Sequence, residues 1–525
     1  MIKSKLFLLL IFTFVFQNYY SQDYKILSDN IKSFNSKPEK IVSILKKETK
    51  KQIFVTKVMP TGKLEELDIT ALKEYSKYDD DKISIYSDDY ENNIFKSNKI
   101  NLPNIGNNQV KYINSFISKG NAFLYSYIVI DKELKIYASK INLDSLILEK
   151  HYEIATFKNE NFNNIKIFIN QSEDSSKILA TILNSELSKN ETSIKEIVFD
   201  YELNKLWSKK IILNEDLEDI YINNIQILDN GNSFYLLSKT LNSKDVKDRL
   251  KNHFSYSKLY FHDYQNDLDY SKLIQNETYN LMLSKIIFNT KSNEIVIQTM
   301  TCNNKNRFSG YILKKINVEN FEEISNFEKV FSESQIDNYT ISKVFNTTQY
   351  LKCFYLRDLF ILPNGNLCSI IENYFEISNS TYESFFRGNI ILLNMSENGE
   401  IINEKILFRS EILTHYDGSY DLGLFLHKDK VKILVNDCPE NMESIQKNDK
   451  TKSTNYKNSI MYLLTFESDF SNYNIQKLIP EFESKNRYSY IMYPKNFSFY
   501  GNNLFLYYSV YDRYRTIEIE NVLNN

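Results

Sequence analysis

Apolar and polar positions along the chain repeat in a hairpin pattern. One unit consists of an apolar strand, a tight polar turn and a second apolar strand, and its clearest copies are residues 222–239 and 357–373. Residues 112–128 and 496–509 match them, and in all four copies the turn glycine is followed by Asn. Small polar turns of this kind suit close hairpins with positive φ. The pattern therefore predicts β-hairpins at these four places.

Three weaker copies fill the gaps between the clear ones. They are residues 165–183, 285–299 and 422–435, and the seven turns then follow one another at steps of 55 to 73 residues. A second β-rich unit, ending in a strand with several lysines, follows each of the first six copies, as in 194–213 and 388–408. Each period thus supplies about four strands. A sheet this thin cannot bury both faces alone, so neighbouring sheets have to stack.

Four-stranded units at this spacing are typical of propeller blades. From residue 109 to residue 510 the order of units does not change, and over this stretch the chain resembles the β-propeller superfamily. The resemblance implies an all-β fold of radially stacked sheets. The chain has no Trp-Asp blade signature, kelch double glycine, Asp-box or quinone-binding pattern, so no family function is carried over. Two or three unrelated β-domains are the alternative, because period-2 patterning does not specify topology.

The number of blades depends on how the ring closes. Residues 82–102 resemble the second unit but have no first unit before them. We expect them to supply the outer strands of a blade whose inner strands come from 490–510, which removes two exposed edges. This gives seven four-stranded blades over residues 82–525. Two further strand-like runs, 52–70 and 514–522, keep eight blades as the alternative.

The amino terminus has the pattern of an export signal. Lys3 and Lys5 precede an apolar run from Leu6 to Phe16, and a small residue follows a few positions later. The run is too short to cross a bilayer core, which needs about 20 residues, so residues 1–22 are predicted to be a cleaved signal peptide. A buried helix or a membrane anchor is the alternative. The protein is therefore expected to be secreted or periplasmic, without membrane insertion.

Residues 23–81 separate the signal from the repeats. They are rich in lysine with scattered apolar residues, and we expect a leader of mixed helical and irregular structure, or else a small separate domain. Asp79, Asp80 and Asp81 could offer oxygen ligands to calcium. They lack the spaced pattern of a calcium loop, so a solvated acidic turn is the favoured interpretation.

Long connections are predicted on one face of the propeller. Residues 240–256, 331–356, 373–388 and 438–458 all join strands at that face, whereas the turns at the other face are tiny. Long ordered loops on a rigid scaffold commonly carry function; the alternative is that they only cover the ring. The candidate binding residues in and beside them are Arg357, Asp358, Phe375, Tyr382, Phe385, Phe386, Arg387, His415, Tyr416, Asp421, His253 and Tyr256.

Composition narrows the choice of partner. The 64 Lys and Arg nearly balance the 67 Asp and Glu, giving a net charge of −3, which argues against a nucleic-acid or anionic-membrane binder. Charged residues make up 25% and hydrophobic residues 42% of the chain, as in globular proteins. A monomer with a protein or polysaccharide partner is expected.

The four cysteines form no CxxC pair, so zinc-knuckle and thioredoxin-like sites are excluded. Cys302 and Cys353 are predicted on adjacent blades at the same face, and export permits disulfides, so they are the candidate bridge. Cys368 lies inside an apolar strand and is expected to be a buried free thiol. Cys438 is then free or competes for pairing.

Motifs of catalysis are absent from the sequence. There is no HxH or HExxH pair, no GxSxG elbow, no GxxxxGK[ST] loop and no GxGxxG fingerprint. We expect no cofactor, no metal and no catalytic residue. His415, Tyr416, Asp417 and Asp421 lie just before a predicted inner strand and could provide a catalytic His–Asp pair, although surface loop residues are the default interpretation. Arg357 and Asp358 could clamp a carboxylate or phosphate, or form a blade-to-blade salt bridge.

These observations favour a secreted, non-catalytic binding propeller. Its aromatic loops would recognise a protein or a glycan. A glycan hydrolase or lyase is the alternative, and a structural role at the cell surface is a third hypothesis. Two buried, unneutralised carboxylates within about 10 Å would favour the enzyme, whereas an aromatic groove without such a pair would favour binding.

Overall fold

The computed structural model of the protein describes most of residues 108–478 and separate strands on either side of that range. The described residues are 24–26, 39–46, 51–58, 83–89, 94–100, 102, 104–105, 108–158, 165–186, 191–213, 217–240, 253–303, 307–340, 353–378, 383–409, 411–413, 422–437, 442–443, 445, 460–478, 490–500, 503–510 and 513–519. Nearly all of them are in β-strands.

The strands follow one another in short antiparallel hairpins. The first eleven are β1 (Tyr24–Ile26), β2 (Glu39–Lys46), β3 (Lys51–Val58), β4 (Ile83–Asp89), β5 (Ile94–Ile100), β6 (Asn104–Ile105), β7 (Asn108–Gln109), β8 (Lys111–Ser118), β9 (Asn121–Ile130), β10 (Glu133–Asn142) and β11 (Ile147–Lys158). The next twelve are β12 (Ile165–Gln171), β13 (Lys177–Glu186), β14 (Glu191–Asp200), β15 (Lys205–Leu213), β16 (Ile220–Ile227), β17 (Ser233–Thr240), β18 (Phe254–Asp263), β19 (Leu268–Ile274), β20 (Asn280–Asn289), β21 (Glu294–Cys302), β22 (Phe308–Asn317) and β23 (Glu323–Val330). The remaining described strands are β24 (Phe354–Ile361), β25 (Leu367–Ser378), β26 (Glu383–Met395), β27 (Ile401–Leu407), β28 (Glu411–Leu413), β29 (Gly423–His427), β30 (Lys430–Asp437), β31 (Ile460–Phe466), β32 (Tyr473–Lys477), β33 (Tyr490–Tyr500), β34 (Asn503–Val510) and β35 (Arg513–Ile519).

Helical structure is brief by comparison. Helix α1 (Glu333–Tyr339) begins at a capping box in which Ser332 and Gln335 each bond the backbone of the other. A short 3₁₀ turn, Leu217–Asp219, leads into β16.

Successive strands pair into four-stranded antiparallel sets. Among the described residues there are eight: β2–β5, β8–β11, β12–β15, β16–β19, β20–β23, β24–β27, β29–β32, and β33–β35 with β1. The fourth and fifth sets are joined by one residue pair, Phe254 with Leu281, and β28 adds to β26 of the sixth. The four-stranded meander is the blade of a β-propeller.

The described strands fall into two compact units. The larger comprises Lys37–Phe375 and Ile390–Ile402. In it the first strands of successive sheets lie side by side, from β2 through β8, β12, β16 and β20 to β24. The smaller unit comprises Met1–Ser36, Glu376–Asn389 and Asn403–Asn525, and its β29 contacts β33 in the same way. The predicted stacking of thin sheets on their inner strands is confirmed.

Apolar side chains on facing sheets form the core of the larger unit. Tyr125 and Ile136 of one sheet pack with Ile178 and Phe199 of the next, and all four are buried. Side-chain amides tie the inner strands together at the same interface. Asn114 Nδ2 donates to the backbone oxygen of Ile169 at 2.5 Å. Such bonds satisfy backbone groups that a thin sheet leaves unpaired at its inner edge.

The closing strands differ from the prediction. Strands β4 and β5 occupy the segment 82–102, but they pair with β2 and β3 and not with 490–510. The expected closure is therefore wrong. The carboxy-terminal sheet instead takes its fourth strand from the amino terminus, where Tyr24 pairs with Ile519.

Residues 82–102 were assigned to the wrong sheet because the hairpin before them lacks the usual turn residues. Residues 47–50, between β2 and β3, read Lys-Glu-Thr-Lys and contain neither Gly nor Asn. The segment expected to be helical or irregular therefore contains a first unit, whose two strands are Glu39–Lys46 and Lys51–Val58. Strands β2 to β5 thus form one of the eight four-stranded sets in the described residues. The predicted signal peptide and Asp79 to Asp81 lie outside the described residues.

Gly310 lies where β22 pairs with β23, opposite Val330. A Cβ added there would lie 1.8 Å from the backbone oxygen of Lys329. Gly310→Ala is therefore expected to part the two strands and to lower the free energy of unfolding by about 3 kcal/mol, measured by urea denaturation. Gly365→Ala is the control, because nothing lies within 4 Å of its added Cβ and only its φ of +87° opposes the change, at about 1 kcal/mol. Equal losses in the two variants would contradict the steric explanation.

Candidate binding site

Arg357 occupies a β-bulge on the inner strand of its sheet. In the pairing of β24 with β25, Leu356 faces Ile371 and Asp358 faces Ile370, so Arg357 is the extra residue between them. A bulge re-aims the side chain that it carries. Arg357 Nε donates to Glu372 Oε2 at 2.5 Å, and the Glu372 side chain is fully buried, whereas a quarter of the Arg357 side chain is exposed.

Two tyrosine rings contact the same guanidinium group. Its central carbon lies 5.0 Å from the ring centroid of Tyr374 and 5.6 Å from that of Tyr355. The two rings meet edge to face at 5.1 Å. Cation–π contacts and the ion pair together fix one orientation of the side chain. We call Arg357, Glu372, Tyr355 and Tyr374 the arginine platform.

The contacts of Arg357 differ from those expected if it acted together with Asp358. The ion pair that the structure shows for Arg357 is with Glu372, one strand away in the same sheet. Asp358 Oδ1 accepts a hydrogen bond from the backbone N–H of Leu359 at 2.9 Å. Arg357 and Asp358 are neighbours in the chain but are engaged separately.

Several predicted loop residues lie in strands instead. Strands β25 and β26 extend over most of 373–388, because this hairpin is longer than its polar sequence suggests, and Arg387 is buried in β26 with 1% exposure. Phe375 belongs to β25, and the backbones of Phe385 and Phe386 pair with Leu413 and Ile412 of β28. His253 is buried and Tyr256 is half-buried in β18. Tyr382, His415, Tyr416 and Asp421 lie outside the described residues.

The three cysteines in the described part of the chain are free thiols. Cys302, Cys353 and Cys368 are all buried and unbridged, so the predicted Cys302–Cys353 bridge is absent, while the prediction for Cys368 is confirmed. Burial raises the pKa of Cys302 to about 12 and that of Cys353 to about 11, and the charge of Cys353 adds to the shift at Cys302. A pKa this high keeps both sulfurs protonated and unreactive at neutral pH. Cys438 lies outside the described residues.

Three carboxylates are fully buried among the described residues: Glu196, Glu372 and Asp437. Glu372 is paired with Arg357, and Asp437 Oδ2 lies 3.1 Å from Arg409 Nε. Neither is available as an unneutralised acid of the kind that the enzyme alternative requires.

Glu196 has a different environment. It accepts hydrogen bonds from Ser233 Oγ at 3.2 and 3.3 Å, and burial first, then the charge of Asp269, raise its pKa to about 7. Asp269 is itself bonded to Lys209 at 2.7 Å and lies 2.9 Å from His262 Nδ1. This network joins β14 and β15 to the next sheet. Its only sequence signal is a glutamate within the apolar run of β14.

A groove opens where the inner strands end, between the short turns that lead into the second strands. These ends are opposite to those near the arginine platform. The groove has a volume of about 190 Å³, and its lining includes Glu173, Ile227, Leu228, Asp229, Asn230 and Phe288. The lining residues come from three successive sheets of the larger unit. We call it the turn groove. Sequence analysis missed it because each turn is short and only their packing creates the cavity.

Groups of three or more His, Cys, Asp or Glu placed to hold a metal ion do not occur in the described part of the chain. The described residues also include no helix that is both long and apolar enough to cross a membrane.

No family model matches the chain, and no curated protein matches it. Among solved structures, the Dos1 propeller is 12% identical over 95% of both chains, with a TM-score of 0.43. The WD40 domain of SCAP from fission yeast is 9% identical, over 95% of this chain and 98% of that one, with a TM-score of 0.35. The β-propeller domain of the Trilobed protease from Pyrococcus furiosus is 10% identical, over 86% and 99%, with a TM-score of 0.36.

By its own strand order and stacking, the protein is an all-β propeller built from four-stranded blades. A propeller is a scaffold on which binding and catalytic sites are both known to be built, so the fold leaves the function to be argued from the site.

Proposed function

We propose that this propeller is a non-catalytic binding module that acts outside the cytoplasm and contacts a protein partner through the arginine platform. The observation that carries the proposal is the contact of the Arg357 guanidinium, at a bulge of an inner strand, with the rings of both Tyr355 and Tyr374. Arg and Tyr are the side chains most enriched at the energetic centres of protein interfaces.

The platform is suited to recognition because it is already ordered. Glu372 is buried and fixes one edge of the guanidinium group, while Tyr374 is nearly buried and supports its face. A preorganised side chain loses little conformational entropy when a partner binds. A quarter of the Arg357 side chain is exposed, so a partner can contact it.

The location also supports the proposal. Tyr355 lies near the start of β24, and Tyr374 lies near the end of β25. Both are therefore on the side from which the long connections were predicted to emerge. The export signal expected at residues 1–22 supports a site of action outside the cytoplasm. A glycan partner is the second ligand class that aromatic side chains suit, and it is an outcome of the test below.

Arg357→Lys keeps the charge but removes the planar group that lies against the two tyrosine rings. We expect peptides selected on the exported protein from a displayed random library to bind this variant about tenfold more weakly, measured by surface plasmon resonance. The exported protein should begin near Gln22 or Asp23 by mass spectrometry.

Arg307→Lys is the matched control, because Arg307 lies outside the platform, and its affinity should be unchanged. If Arg357→Lys binds every selected peptide as tightly as the native protein, the platform is not the contact. If only a glycan array yields ligands, the protein partner is wrong.

A further inference from the structure

We propose that the turn groove is a second contact site, which takes up one basic side chain of a partner polypeptide. It lies at the ends of the inner strands opposite the arginine platform, so it is distinct from the contact proposed above.

The walls of the groove suit the stem of a lysine or arginine. Ile227 and Leu228 are buried and form an apolar floor, and Phe288 is half-buried against the same core. Methylene stems of basic side chains pack on such surfaces while the charged head stays near water. The ring of Phe288 adds a face on which a cation can lie.

The charge of the groove complements the same occupant. Glu173 and Asp229 are exposed at the rim, and none of the lining residues is Lys or Arg. Asp229 Oδ1 accepts the backbone N–H of Asp174 at 3.0 Å, which fixes this carboxylate between two turns. A cation whose stem rests on the floor is within reach of a carboxylate at the rim.

The groove is also rigid, so binding requires little reorganisation. The turn that carries Asp229 is closed by a hydrogen bond from the Gly231 N–H to the Leu228 oxygen at 2.9 Å. Trp207 Nε1 donates to the Gly231 oxygen at 3.3 Å and supports the turn from behind. Trp207 is the single tryptophan of the chain, so its fluorescence reports on the surroundings of this turn without a signal from another tryptophan.

The test is a fluorescence titration with four acetylated, amidated tripeptides, Gly-Arg-Gly, Gly-Lys-Gly, Gly-norleucine-Gly and Gly-Glu-Gly. The arginine or the lysine peptide is expected to change Trp207 emission saturably, and raised salt should weaken it. The variant Glu173→Gln/Asp229→Asn keeps hydrogen-bonding groups at both positions and should raise the dissociation constant at least tenfold. Phe288→Leu keeps apolar bulk without the ring and should raise it severalfold.

The control is Glu277→Gln/Glu328→Gln, which removes two exposed carboxylates away from the groove and should leave the affinity unchanged. The proposal is overturned if the norleucine or glutamate peptide binds as well as the basic ones, or if the control loses as much affinity as the groove variant. It is also overturned if calcium chloride alone produces the emission change and blocks the peptides, since the groove is then a metal site. Absence of saturable binding by either basic peptide overturns it as well.

Discussion

Arg409→Ala is expected to lower the free energy of unfolding by about 3–5 kcal/mol. Arg409 Nε lies 3.1 Å from Asp437 Oδ2, and its Nη2 donates to the Asn436 oxygen at 3.1 Å. The Arg409 side chain is 1% exposed and that of Asp437 is 0% exposed. Removing the guanidinium would leave a buried carboxylate without its counter-charge, which costs far more than the pair contributes when complete.

Urea denaturation followed by circular dichroism measures this loss. Lys430→Ala is the control, because the Lys430–Glu467 pair is 3.2 Å long but 33% and 49% exposed, and its loss should cost at most about 1 kcal/mol. Arg409→Met/Asp437→Leu should be less destabilised than Arg409→Ala, since both charges are then removed together. Arg409→Ala with no greater loss than Lys430→Ala would contradict the prediction.

Glu196 should make stability depend on pH in the opposite sense to an ordinary carboxylate. Its pKa is raised from 4.5 to about 7 in the folded protein by burial and by Asp269. The folded state therefore holds a proton that the unfolded state releases between these values. The stabilisation is fully present below about pH 4.5 and is lost as the pH rises through about 7, amounting to about 3 kcal/mol.

The difference in unfolding free energy between native protein and Glu196→Gln isolates this contribution. Gln cannot ionise, yet its side chain can still bond Ser233. Between pH 5 and pH 8.5 the native protein should lose about 3 kcal/mol relative to the variant. Glu328→Gln, at an exposed position, should show no such trend. A constant difference between native protein and Glu196→Gln across this range would refute the assignment.

Turn chemistry decided how much of the fold the sequence could predict. Gly120, Gly231 and Gly365 have φ values of +83°, +93° and +87°, so the hairpins read from Gly-Asn turns are where they were expected. The hairpin of β2 and β3 lacks that signal, so residues 82–102 were assigned to the carboxy-terminal sheet and not to the sheet of β2 and β3.

The candidate site was less predictable, because its contacts cross strands. Arg357 was identified beside an inner strand, but Glu372 and Tyr374 reach it through pairing that the local sequence does not specify. The turn groove draws on residues of three sheets, far apart in the sequence. Arg387 was expected on a surface loop because it lies in the long connection 373–388, yet it is buried in β26.

The bulge that carries Arg357 has counterparts in other inner strands. Register shifts fall between Tyr112 and Asn114, between Ile222 and Asn224, and between Leu356 and Asp358. The extra residues are Ile113, Asn223 and Arg357, respectively. The Asn223 side chain forms hydrogen bonds with Ser238 of its own sheet and Ser284 of the next. Each blade built in this way has one interchangeable position outside the hydrogen-bonded ladder. New chemistry can be acquired there by a single codon change while the architecture stays intact.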